Sequence, residues 1–146
     1  MQKEKQQKLL EAIRNNRTTE VRRLLQENVN PNTADHTAVA SYPIHWVTCS
    51  DRDGSHMDIF EEILSNKKNP VDLDVTNKKG QTAAMLAAAS GNIRALQILR
   101  AAGANFMIRT SQGFNVVHFA SQNGHTLLLD FFFVLGKHRE LFVKLL

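Results

Sequence analysis

The sequence predicts an all-α solenoid built from stacked helix–turn–helix units, and three observations carry that prediction. The stretch from Gly80 to Gly91 returns 33 residues later as Gly113 to Gly124, with the glycines and the small residues at 87/120 and 88/121 in register. A fixed period of this length is the mark of a repeat architecture. Thr82 and Asn115 stand directly before short apolar segments as helix N-caps, and Gly91 and Gly124 follow those segments as helix ends. Ile93, Leu96, Ile98 and Leu99 then form an apolar stripe that one unit alone cannot bury, so neighbouring units must stack on it.

The elements follow in order. Leu9–Ile13 predicts one helix and Val21–Leu25 a second, together a capping unit over residues 5–34. The second unit, 35–76, opens with Tyr42-Pro43-Ile44-His45-Trp46-Val47, and Pro43 suits a first helical position, where its missing N–H costs nothing. Its second helix, Asp58–Leu64, arrives late because residues 50–56 are inserted between the two helices. The third unit, 77–109, places Thr82 before an Ala-rich helix and continues with the helix Ile93–Ala102. Residues 110–136 form the fourth. The segment 137–146 either caps the array or opens a fifth unit. Leu127–Leu135, interrupted by Asp130, is apolar nearly all round. A terminal unit needs a polar outer face, so this surface is expected to be covered by His138–Leu146 or by another chain, including self-association through the Phe131–Leu135 face. The absence of a helix-ending signal at Leu146 also fits a piece of a longer array.

Composition narrows the class. The chain has 146 residues, 42% of them hydrophobic and 22% charged, which suits one domain with a core rather than a disordered segment. The net charge of +4 is spread among interleaved acids and bases, which permits acidic partners without demanding nucleic acid. Nucleic-acid binding ranks last, because no aromatic residues interleave the basic N-terminal helices. The single cysteine, Cys49, excludes an internal disulfide and points to a reducing, intracellular compartment, cytoplasmic or nuclear. No apolar run reaches the ~20 residues a membrane span needs.

The unit beginning at Asn77 resembles the ankyrin repeat, whose pattern reads roughly D-x-x-G-x-T-P-L-H-x-A-A-x-x-G-H, an apolar helix, then G-A-D. Asn77, Gly80, Thr82, Leu86, Ala87, Ala88, Gly91 and Gly103-Ala104-Asn105 carry the resemblance in the third unit, and Gly113, His118, Ala120, Gly124 and His125 in the fourth. The first two units resemble it in pattern and spacing. Ala83 and Val116 replace the family's proline, and Met85 its histidine. His45 pairs with Tyr42, and His118 with Asn115, where the family has threonine. No unit holds both the threonine and the histidine, so lower stability than in an idealised array is expected.

The resemblance implies a non-catalytic protein-interaction module that presents a concave surface to a partner protein, with no cofactor and no metal. By register it implies Arg14 and Asn15 of the first unit, Cys49 and Ser50 of the second, Lys78, Lys79, Gln81, Ala89 and Ser90 of the third, and Ser111, Gln112, Phe114, Gln122 and Asn123 of the fourth as partner-binding residues. Phe114 is the strongest of these, because an aromatic at an exposed hairpin position suits a hot spot worth about 2 kcal/mol. Trp46 is expected in the core. The inserted loop with Asp51, Arg52 and Asp53 extends the surface and can tune specificity. Its Asp-x-Asp-Gly fragment lacks the spaced ligands and the late glutamate of a calcium loop. His45, Cys49 and His56 fit no usual zinc spacing. Two other readings stay open. One is the regulatory or substrate-recruiting portion of a larger enzyme, such as an ankyrin-type palmitoyltransferase, whose repeats look loosely similar to Gly113–His125. The other is an effector or inhibitor that occupies a partner surface.

Overall fold

The computed structural model describes residues 1–50, 56–128 and 130. Among these the chain is helical without strands, with α1 (Gln2–Arg14), α2 (Thr18–Gln26), α3 (Pro43–Ser50), α4 (Met57–Leu64), α5 (Ala83–Ser90), α6 (Ile93–Ala101) and α7 (Val116–Gln122). The odd-numbered helices pack side by side in the order α1, α3, α5, α7 as one inner row. α2, α4 and α6 lie behind α1, α3 and α5 respectively, and α2 also packs on α4. This is the all-α repeat solenoid that the 33-residue echo requires.

The core lies between the two rows. Leu9 and Ile13 of α1, Leu24 of α2, Ile44 of α3, Ile59, Phe60 and Ile63 of α4, Met85 of α5 and Leu96 and Leu99 of α6 are all fully buried. Alanines 83, 84, 87 and 88 give α5 a small-residue surface on every side, so α3 and α7 both approach it closely. The N-terminal helices are longer than their apolar cores alone suggest. α1 begins at Gln2 rather than Leu9, because its first turns are good helix formers and Lys8 pairs with Glu4 at 2.9 Å.

The loops ahead of the inner helices are closed by one repeated device. The backbone N–H of Asp35 donates to Ser41 O (2.8 Å), that of Asn77 to Gln81 O (3.0 Å) and that of Thr110 to Phe114 O (2.8 Å). In each case the first residue's side chain also accepts from inside the loop. Asp35 Oδ1 takes the N–H groups of Thr37 and Ser41, Asn77 Oδ1 those of Lys79 and Gln81, and Thr110 Oγ1 that of Phe114. The helix starts are then capped. Thr82 Oγ1 accepts from Met85 N and Asn115 Oδ1 from Val117 N and His118 N.

Gly91 ends α5 at φ +72°, where an L side chain is strained. A Cβ there would also lie 2.7 Å from His125 Nδ1. His125 occupies that space because its Nε2 reaches Ala89 O at 2.8 Å, which ties the end of α7 to the end of α5.

Candidate functional site

The inner helices share a register that puts one residue of each on the solvent side. Trp46, Leu86 and Phe119 directly follow His45, Met85 and His118, and all three are half-buried while their predecessors cap the helix start. Trp46 therefore departs from its expected core position. It packs against the core and lines a cleft between α1 and the 35–41 loop, where Arg14 of α1 lies over its ring.

Between the loops ahead of α5 and α7 lies a groove of about 650 Å³. Lys78, Lys79 and Gln81 line it on one side and Ser111, Gln112 and Phe114 on the other, with Phe119 and Gln122 of α7 forming the floor. Seven residues singled out from sequence thus meet in one place. Lys78 and Lys79 are exposed, and neither is salt-bridged among the described residues. Lys78 is placed by its backbone N–H, which donates to Val39 O (2.8 Å) in the preceding loop. Gln81 is held by Asn77 Nδ2, which donates to its Oε1 (3.0 Å). Phe114 is half-buried, its ring tilted against His118 at 5.7 Å between centroids, so part of the ring is spent on its own neighbour and part faces the groove.

A second cleft, about 560 Å³, lies between α1 and the 35–41 loop. The Arg14 guanidinium sits 4.4 Å above the Trp46 ring, a cation–π distance. Trp46 Nε1 donates to Asp35 Oδ2 at 2.8 Å. Burial alone would raise the Asp35 carboxyl. The bonds from the Thr37 hydroxyl, the indole and two backbone N–H groups outweigh it and hold the carboxyl below its ordinary range.

The other expected residues lie apart from these two clefts. Asn15 is the C-cap of α1. Cys49 is exposed near the end of α3, and the backbone of Ser50 ends that helix. Ala89 is half-buried beneath His125, which takes its carbonyl. Ser90 Oγ turns back to Leu86 O and Asn123 Nδ2 to Phe119 O, so both polar groups serve helix ends. Asp51, Arg52, Asp53 and the Phe131–Leu135 face lie outside the described residues, as does the 137–146 segment. His45 is fully buried, and both ring nitrogens are committed to protein partners. Nδ1 accepts from Tyr42 N–H (3.0 Å), so the neutral ring carries its proton on Nε2 and donates to Gln81 O (3.0 Å). Burial lowers its pKa from the ordinary 6.5, against the pull of the Gln81 and Val75 carbonyls. Sequence reasoning missed Phe119, Asp35 and the place of Trp46 in the cleft. Their signal was the register itself: 46, 86 and 119 share one position of the repeat, and 35, 77 and 110 another.

Two rows of short helices, joined by loops that close the same way each time and line a groove, define a helical repeat protein with a presented surface. The family model for ankyrin repeats (3 copies) matches residues 44–138, well over half of the chain. The chain belongs to the ankyrin repeat family. Ankyrin repeats are generally protein-interaction modules and typically non-catalytic. Among the described residues, no helix is long and apolar enough to cross a membrane.

Proposed function

We propose that this chain is a non-catalytic, intracellular protein-interaction module whose groove between the loops ahead of α5 and α7 receives a segment of a partner protein. The observation that carries this reading is the convergence of Lys78, Lys79, Gln81, Ser111, Gln112, Phe114 and Phe119 on one concavity. Its walls are loops closed by their own hydrogen bonds, so a partner meets a surface that needs little further ordering. The open part of Phe114 and the edge of Phe119 offer the apolar centre, and the surrounding amides and lysines the polar rim, of a small interface.

The test selects binding segments from a random-peptide display library on the wild-type chain and measures each against Phe114→Ala. Segments seated in the groove should weaken by roughly tenfold or more. The backbone bonds of Phe114 to Thr110 do not involve its ring, so the variant should stay folded, losing about 1 kcal/mol of packing against His118. Selected segments that bind the variant as tightly as the wild type would sink the groove reading.

A further inference from the structure

The groove has a one-sided charge. Two adjacent exposed lysines line it, and among the described residues no aspartate or glutamate does. Among the described residues, Lys5, Lys8, Arg22 and Arg23 are salt-bridged to glutamates on or beside α1, α2 and α4, whereas other exposed cations, Lys67 and Lys68 among them, are not. Among the described residues Lys78 and Lys79 have no salt bridge, and they line the groove together with the half-buried Phe114 and Phe119. The side-chain amides of Gln112 and Gln122 make no hydrogen bond among the described residues, which leaves them for an incoming backbone.

We propose that the groove takes an acidic segment of a partner protein that also carries an apolar side chain. Its carboxylates meet Lys78 and Lys79, and its apolar side chain covers Phe114 and Phe119. The inference rests on the groove being the binding site and adds the chemistry of its occupant. Opposite charge speeds encounter and sets register, while the aromatic floor supplies the desolvated contact that slows release. A nucleic acid fits less well. Duplex binders can spend about six to ten phosphate contacts, whereas among the described residues two lysines line this groove and the rest of its rim is neutral.

The experiment repeats the peptide selection on the Lys78→Glu/Lys79→Glu chain and compares the groove-seated sequences, those that lose binding to Phe114→Ala. On the wild type these should be enriched in Asp and Glu beside an aromatic or aliphatic residue, and should weaken with added salt. On the charge-reversed chain the enrichment should turn to Lys and Arg, and the acidic segments should lose roughly tenfold or more in affinity. Groove-seated segments without acidic enrichment would overturn the proposal and leave the groove reading standing. If no selected segment depends on Phe114, both fall. Binding of a single-stranded oligonucleotide that falls steeply with salt and vanishes on charge reversal would reassign the lysines to phosphate and overturn it as well.

Discussion

Asp35 takes four hydrogen bonds on one carboxylate. Oδ1 accepts from Thr37 N (3.0 Å), Thr37 Oγ1 (2.6 Å) and Ser41 N (3.1 Å), while Oδ2 accepts from Trp46 Nε1 (2.8 Å). An asparagine has one acceptor oxygen. It can serve the loop or the indole, and its NH₂ then faces a donor at the other. Asp35→Asn should therefore cost about 2 kcal/mol, the range for hydrogen bonds to a charged group, measured by urea unfolding. Trp46 is the one tryptophan in the chain, so its emission reports the same change as a red shift. An unchanged midpoint with unchanged emission would show that the carboxylate is dispensable to the loop. The group is hard to find from sequence. An aspartate in a polar loop is unremarkable until the bond to a tryptophan eleven positions later is seen. The hairpin position of Phe114 follows from the repeat register, but the exposure expected for it does not hold, since the side chain is half-buried. Its contact with His118 was not legible, because side-chain tilt leaves no mark on spacing.

At the scale of the element, the inner helices solve one problem with different residues. The start of α3 is closed by His45 Nδ1, which takes Tyr42 N–H, and that of α7 by His118 Nδ1, which takes Asn115 N–H at 3.1 Å. At α5 the matching atom is Met85 Sδ, 3.4 Å from Thr82 N and a weaker acceptor. The helices themselves were readable from caps, glycines and alanines. The stand-in by sulfur was not, since methionine at a buried position ordinarily reads as packing alone. Met85→His would give α5 both the threonine and the histidine. Its Nε2 would point toward Phe114 O, the repeat equivalent of the Gln81 O that His45 uses. That carbonyl already accepts from Thr110 N, as Gln81 O accepts from Asn77 N, and keeps a second lone pair. We expect a gain of about 1 kcal/mol, or roughly 3 °C in Tm, by thermal unfolding. A lower Tm would mean that the apolar packing of Met85 outweighs the bonds gained.

Across the whole molecule, a stack in which each unit touches only its neighbours is as strong as its joints. The joint between α3 and the α5 loop carries His45, whose Nε2 crosses to Gln81 O. To take a proton, its ring must charge while fully buried and turn Nδ1 from an acceptor for Tyr42 N–H into a donor. Its folded pKa lies below the ordinary 6.5. Between those two values the unfolded chain binds a proton that the folded chain does not, so stability must fall as pH drops below 6.5, levelling only below the folded value. Asp35 adds a second loss at lower pH, since its depressed carboxyl contributes fully above 3.8 and ceases to once protonated. The chain has 6 histidines, so the test is a comparison with His45→Gln. That variant should be less stable at neutral pH but show a flatter decline between about pH 7 and 5. Because His45 bridges one joint, acid should also open the array there. Amide exchange should then lose protection first in Tyr42–Thr48 and the loop ahead of α5, with α1 and α2 on one side and α6 and α7 on the other opening at different free energies. Equal pH slopes in the two chains would remove His45 as the origin of the acid step, and uniform loss of protection would mean that the stack opens as one cooperative body.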